Sequence, residues 1–105
     1  MEDITVMDLG ARIKNGDAPI IVDVREPDEF AYARLEGALL RPLGGILTWM
    51  REFERDREIV IMCHTGNRSA SATAFLRKMG FRQARNLLGG IDAWSVHVDP
   101  HVPRY

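Results

Sequence analysis

The stretch Ile59-Val60-Ile61-Met62-Cys63-His64-Thr65-Gly66-Asn67-Arg68-Ser69 decides the fold. Its first four residues are apolar without polar alternation, as expected of a parallel strand covered on both faces, so this strand belongs near the centre of a sheet. A polar loop with a glycine follows. Beyond it Ala72, Phe75, Leu76 and Met79 recur at helical spacing up to Gly80, with Phe81 able to fold back on Leu76. Strand, loop and helix in that order make half of a βαβ unit, and Cys63 falls at the carboxyl edge of the sheet, where open α/β folds place their ligands.

Upstream of this core, Thr5 with Asp8 three residues later resembles a capping box that opens a helix carrying Leu9 and Ile13 and ending near Gly16. Residues 20–24 read as a buried strand. Glu26-Pro27-Asp28-Glu29-Phe30 places proline where a first helical turn tolerates it and acids where the helix dipole favours them, so a short helix follows. Residues 38–41 suit another strand. After them Leu43, Ile46, Leu47, Met50 and Phe53 keep helical spacing, although Gly44 and Gly45 weaken the start. Downstream lie a short strand at residues 84–87, the turn Leu88-Gly89-Gly90, a helix through Trp94, and a tail from about residue 98. The alternation predicts an α/β fold in one domain over residues 1–105, with a five-stranded parallel sheet and helices on both faces.

Composition fits that picture and excludes others. With 105 residues and 46% apolar content the chain can fill one core. No apolar run approaches the roughly 18–20 residues of a membrane span, and Glu2 and Asp3 stand where a signal peptide would carry basic and apolar regions, so a cytoplasmic location is expected. Fourteen basic against fifteen acidic side chains leave a net charge of −1, so no global field recruits nucleic acid or an anionic membrane. Anion binding has to be local.

Cys63 is the only cysteine, which rules out an internal disulfide and a dithiol cycle. A lone cysteine is ordinarily buried filler, but the neighbours of this one argue for a working thiol. The glycine in Cys63-His64-Thr65-Gly66-Asn67-Arg68 lets the backbone curl so that several N–H groups converge on one centre. With a helix N-terminus and Arg68 beside it, the cradle favours thiolate and lowers the cysteine pKa from about 8.5 toward neutrality.

Asp23-Val24-Arg25 with Glu26 and Phe30, the loop from Cys63 to Ser69, Gly80-Phe81, and Leu88-Gly89-Gly90-Ile91-Asp92-Ala93-Trp94 together resemble the rhodanese family, in the family's order and over most of the chain. The resemblance implies a rhodanese-like domain with a five-stranded parallel sheet. It also implies a sulfurtransferase that moves a sulfane sulfur from a donor such as thiosulfate to a thiophilic acceptor, cyanide or a thiol. Carried over by position, Cys63 is the catalytic residue and holds the sulfur as a persulfide, and the backbone of His64, Thr65, Gly66, Asn67, Arg68 and Ser69 forms the substrate-binding cradle. No metal or organic cofactor is implied. Where the family often has Gly-His-Ile-Pro-Gly-Ala, this chain has Ala33-Arg34-Leu35-Glu36-Gly37-Ala38. The loop is untouched by that departure, but substrate choice is left open and Arg34 is a candidate addition to the local positive charge.

Other residues take plainer readings. Asp23, at a strand end on the same edge, is expected to pair with Arg68 or with loop N–H groups, and Asp23 and Arg25 to support the site's shape rather than act as acid or base. Arg68 either faces substrate or pairs inward. His64 adjoins Cys63, but adjacent residues in a curled loop diverge and a preformed thiolate needs no base. His97, Asp99 and His101 lack a fourth ligand and read as solvent-facing. Trp49 and Trp94 read as core, Trp49 near enough to approach the mouth.

Two other function classes compete. A cysteine phosphatase or arsenate reductase uses the same fold with five residues between cysteine and arginine, whereas Cys63 and Arg68 enclose four, a cradle of sulfur size. A sulfur-relay or regulatory module would hold the persulfide for a protein partner instead of turning over small molecules.

Overall fold

The computed structural model describes residues 2–105. Four parallel strands, β1 (Ile20–Asp23), β2 (Leu39–Leu40), β3 (Ile59–Met62) and β4 (Ala84–Asn86), form one sheet in the order β2-β1-β3-β4. The helices are α1 (Val6–Lys14), α2 (Pro27–Tyr32), α3 (Ile46–Trp49), α4 (Asn67–Lys78) and α5 (Gly90–His97). Ile20 to Asp23 pair with Ile59 to Met62 residue for residue, which sets Asp23 level with the last residue before Cys63. All four side chains of β3 are fully buried, and each contributes roughly 1.5–3 kcal/mol by leaving water.

Strand alternation divides the core. Ile21, Val60 and Met62 face one way and pack with Leu9 of α1 and Ile91 and Trp94 of α5. Val22, Ile59 and Ile61 face the other way, onto Ala72 and Leu76 of α4 with Trp49, Met50 and Phe81. Both faces are covered, as an apolar strand without alternation requires.

The sheet has four strands, not the five expected. A fifth position exists at the β4 edge, but one residue fills it: Ile4 bridges Leu87, its N–H donating to the Asn86 carbonyl and its own carbonyl accepting from Leu88. Thr5 follows at once as the N-cap of α1, its side chain accepting from the Asp8 N–H, so the chain turns into a helix before a strand can extend.

Local signals set most boundaries. Glu26 caps α2 through a reciprocal capping box with Glu29, and Pro27 opens the helix. Gly80, at φ +99°, ends α4, and the Phe81 N–H returns to the Leu76 carbonyl. The stretch with helical spacing from Leu43 to Phe53 is broken into a 3₁₀ turn at Leu43–Gly45, α3, and a second 3₁₀ turn at Met50–Glu52. Two glycines at its start leave the first turn without helix formers, and Trp49 ties it back by donating to the Pro42 carbonyl. Among the described residues no helix is long and apolar enough to cross a membrane.

Candidate functional site

Cys63 leaves the end of β3 buried, 1% exposed, with its sulfur turned into the loop that follows. Sγ accepts from the Gly66 N–H at 3.2 Å and the Ser69 N–H at 3.4 Å, and the Ser69 hydroxyl lies 3.2 Å away. Gly66 makes this possible at φ +104°, as the N-cap of α4. Burial pushes the Cys63 thiol up, but the Ser69 side chain beside the sulfur and the Ser69, Gly66 and Thr65 N–H groups aimed at it outweigh that effect, and the thiol lies below its ordinary value.

The loop is held from outside by α5. The Ile91 N–H donates to the Cys63 carbonyl at 2.9 Å and the Asp92 N–H to the His64 carbonyl at 3.0 Å. The first N–H groups of a helix, which have no partners inside it, thus take the loop carbonyls and leave the loop N–H groups to the sulfur. Gly90 permits the approach: at φ +58°, a Cβ there would lie 2.5 Å from both of those carbonyl oxygens. That close contact is the physical content of the Gly89-Gly90 pair.

The arginines are arranged differently from the expectation for Asp23. Asp23 pairs with Arg25, not Arg68: Nη2 and Nε of Arg25 reach the carboxylate at 2.7–3.1 Å, and both side chains are fully buried. Two residues along the same strand end, Arg25 saturates the carboxylate before a side chain from α4 can. The other Nη bonds of Arg25 go to the Ala33 carbonyl at 2.6 Å, the Tyr105 hydroxyl at 2.8 Å and the Glu29 carbonyl at 3.4 Å. Arg68 forks instead onto Glu29 of α2, at 2.7 and 2.9 Å. Its guanidinium holds the Glu29 carboxyl at about 2, and Arg68 is itself pushed up, chiefly by Glu29 and less by the charge of Cys63. Of the two alternatives for Arg68, the structure shows inward pairing. Arg34 stands over the Phe30 ring, 5.1 Å from its centre.

Thr65 and Asn67 are exposed on the loop and His64 is half-buried. The His64 ring stacks on Tyr105, centroids 3.9 Å apart and planes within 8°. Tyr105 was read only as the end of a tail, yet its hydroxyl accepts from Arg25 and donates to Glu29 at 2.8 Å, and its ring meets Tyr32 edge-on. Arg104 pairs with Asp92 beside it. Val98 and Val102 pack on the α1–α5 core and carry the tail back toward the sheet edge. Sequence reasoning also passed over Glu29 as a partner and Asn86, whose amide lies against the Ser69 hydroxyl at 2.6 Å. Glu29 carried a signal, an acid within reach of a strand-end loop. Tyr105 and Asn86 carried none. Trp49 is core, 5% exposed. Among the described residues no group of three or more His, Cys, Asp or Glu side chains converges as metal ligands would.

Comparison with known proteins finds relatives over the whole chain. Residues 5–97 match the Rhodanese-like domain family. The chain is 36% identical over 102 residues to a protein of Allochromatium vinosum named Sulfurtransferase, covering 97% of this chain and 95% of that protein. It is 32% identical over 112 residues to the Rhodanese-like/PpiC domain-containing protein 12, chloroplastic, of Arabidopsis thaliana, covering all of this chain but 38% of the relative's length. The crystal structure of a Rhodanese-like Domain Protein from Staphylococcus aureus superposes with a TM-score of 0.85 at 30% identity, over 100% of this chain and 99% of that one.

Proposed function

This chain belongs to the rhodanese-like domain family, and from that premise we propose that it is a sulfurtransferase in which Cys63 carries a sulfane sulfur as a persulfide. One observation carries the reading: a single buried sulfur accepts hydrogen bonds from a curled loop whose carbonyls are drawn off by α5. Such a centre suits a thiolate and, after loading, the negative charge of a persulfide.

With thiosulfate as donor, the Cys63 thiolate attacks the outer sulfur, the S–S bond of thiosulfate breaks, and sulfite leaves with the electron pair. The new bond joins Sγ to the transferred sulfur, which bears the charge and meets the Thr65, Gly66 and Ser69 N–H groups. A thiophilic acceptor then takes that sulfur: cyanide leaves as thiocyanate and returns the Cys63 thiolate, and a thiol acceptor leaves as its persulfide. A protein thiol or sulfur carrier fits the acceptor's place equally in chemical terms. No metal or organic cofactor enters these steps, and a cytoplasmic setting with small-molecule donors is consistent with them. Cys63 and Arg68 bracket four residues, one fewer than the phosphatase pattern, which supports sulfur over phosphoryl transfer.

The test is intact mass. Incubation with thiosulfate adds one sulfur, about 32 Da, and cyanide removes it with thiocyanate appearing in equal amount. Retention of the added mass in Cys63→Ser would overturn the assignment, as would robust Cys63-dependent hydrolysis of p-nitrophenyl phosphate.

A further inference from the structure

Ser69 has one hydroxyl proton and two groups that claim it. Its Oγ lies 3.2 Å from Cys63 Sγ and 2.6 Å from Asn86 Oδ1. The Asn86 amide is oriented from its other end, where Nδ2 donates to the Gly66 carbonyl at 3.2 Å; turned over, it would set oxygen against oxygen. An oxygen therefore faces Ser69, and of two oxygens 2.6 Å apart only the hydroxyl has a proton to give. That proton points at Asn86 and the lone pairs of Oγ face the sulfur.

The loop N–H groups favour a thiolate, but the Ser69–Asn86 part of the arrangement favours a thiol. A neutral Cys63 donates S–H to Ser69, which donates to Asn86, and every polar atom in the line is used. On ionisation the line breaks in one of two ways. Either the hydroxyl stays with Asn86 and turns lone pairs toward an anion, or it swings to the sulfur and leaves Oδ1 without a donor. Water is no substitute, since Cys63, Ser69 and Asn86 are 1%, 0% and 5% exposed.

We infer that Asn86 is a positioning residue which, through the Ser69 hydroxyl, restrains the ionisation of resting Cys63 against the pull of the loop N–H groups. The inference rests on the sulfur-carrier reading of Cys63 and sharpens it. In the persulfide the charge sits on the outer sulfur, Sγ is a neutral divalent atom, and Ser69 keeps its bond to Asn86. The restraint thus acts on the empty carrier and is relieved on loading.

The other charged and titratable groups around the sulfur are Arg68 on α4, paired with Glu29 of α2; the Asp23–Arg25 pair at the end of β1; His64 in the loop, with Asp92 of α5 near it; and Tyr105 of the tail. All stay in place in the variants below.

The experiment is the rate of Cys63 alkylation by iodoacetamide as a function of pH. Asn86→Ala removes the acceptor, frees the Ser69 proton for the sulfur, and lowers the thiol pKa by about one unit, with about tenfold faster alkylation on the acid side. Asn86→Asp keeps an acceptor, adds negative charge, and raises it. Both lose the Nδ2 contact with Gly66, so a loop that merely loosens shifts both the same way. In a Ser69→Ala background, Asn86→Ala produces no shift. Asn86→Leu keeps the side-chain shape without an acceptor and serves where the alanine variant does not fold. Shifts of the same sign in Asn86→Ala and Asn86→Asp, or a shift that persists without the Ser69 hydroxyl, overturn the inference. Loading by thiosulfate is read separately by mass, so absence of a persulfide with the expected titrations defeats the carrier reading alone and leaves the restraint of Asn86 and Ser69 on the thiol standing.

Discussion

The Asp23–Arg25 and Glu29–Arg68 pairs lie at the same edge of the sheet, and the shortest contact is 2.7 Å in each. Their surroundings differ. Asp23 and Arg25 are fully buried, and Arg25 also reaches the Ala33 carbonyl and the Tyr105 hydroxyl. In the second pair Arg68 is 39% exposed and Glu29 18%. A buried pair is costly to break because the surviving charge has no water to turn to, whereas a half-exposed one is screened and replaceable. The same two functional groups therefore make a framework in one place and an adjustable mouth in the other.

The largest expected effect tests that contrast directly. Arg25→Ala strands the Asp23 carboxylate and costs about 3–5 kcal/mol of folding stability, while Arg68→Ala costs about 1 kcal/mol and slows thiosulfate loading about tenfold. Urea melts and loading rates for the two variants check this. Equal stability losses would erase the distinction between framework and mouth.

A smaller effect is expected from pH. The Glu29 carboxyl is held at about 2 against an ordinary 4.5, so the stabilisation from its pair is complete above about pH 4.5 and is lost as pH falls toward 2. Glu29→Gln has no such carboxylate, and the stability gap between it and the parent should hold steady from pH 6 to about pH 5 and narrow from about pH 4.5 to pH 3. A gap that stays constant over that range would mean that the Arg68 fork does not lower the Glu29 carboxyl.

The smallest effect concerns the link between the pairs. The Tyr105 hydroxyl accepts from Arg25 and donates to Glu29, and Tyr105→Phe removes both bonds while keeping the stack on His64. A loss of about 0.5–1.5 kcal/mol is expected in thermal melts. The same substitution in an Arg68→Ala background should cost less if the tyrosine braces the mouth, and the same if it serves only Arg25.

Much of this was legible along the chain. The apolar run Ile59–Met62 set the central strand, Thr5, Glu26 and Pro27 set helix starts, and Gly80 with Phe81 set a helix end, because each signal acts through neighbours a few residues away. The position of Cys63 at the sheet edge followed from the same local order. The fifth strand failed for a local reason as well: Thr5 caps a helix one residue after Ile4 and leaves no room for a ladder.

Pairings across the fold were beyond that kind of reading. Arg68 had acids available at both Asp23 and Glu29, and its choice depended on Arg25 filling one of them. Nothing in the composition of the tail brings Tyr105 onto His64, 41 positions earlier, or sets Asn86 against the proton of Ser69. The sequence by itself determined the four strands that form, most helix ends and the place of Cys63 and its loop at the sheet edge, since backbone propensity and hydrophobic period are short-range. Only the tertiary structure decided which charge meets which and where a single hydroxyl proton points, because those outcomes turn on differences of a few tenths of an ångström between groups that only the packed sheet edge brings together.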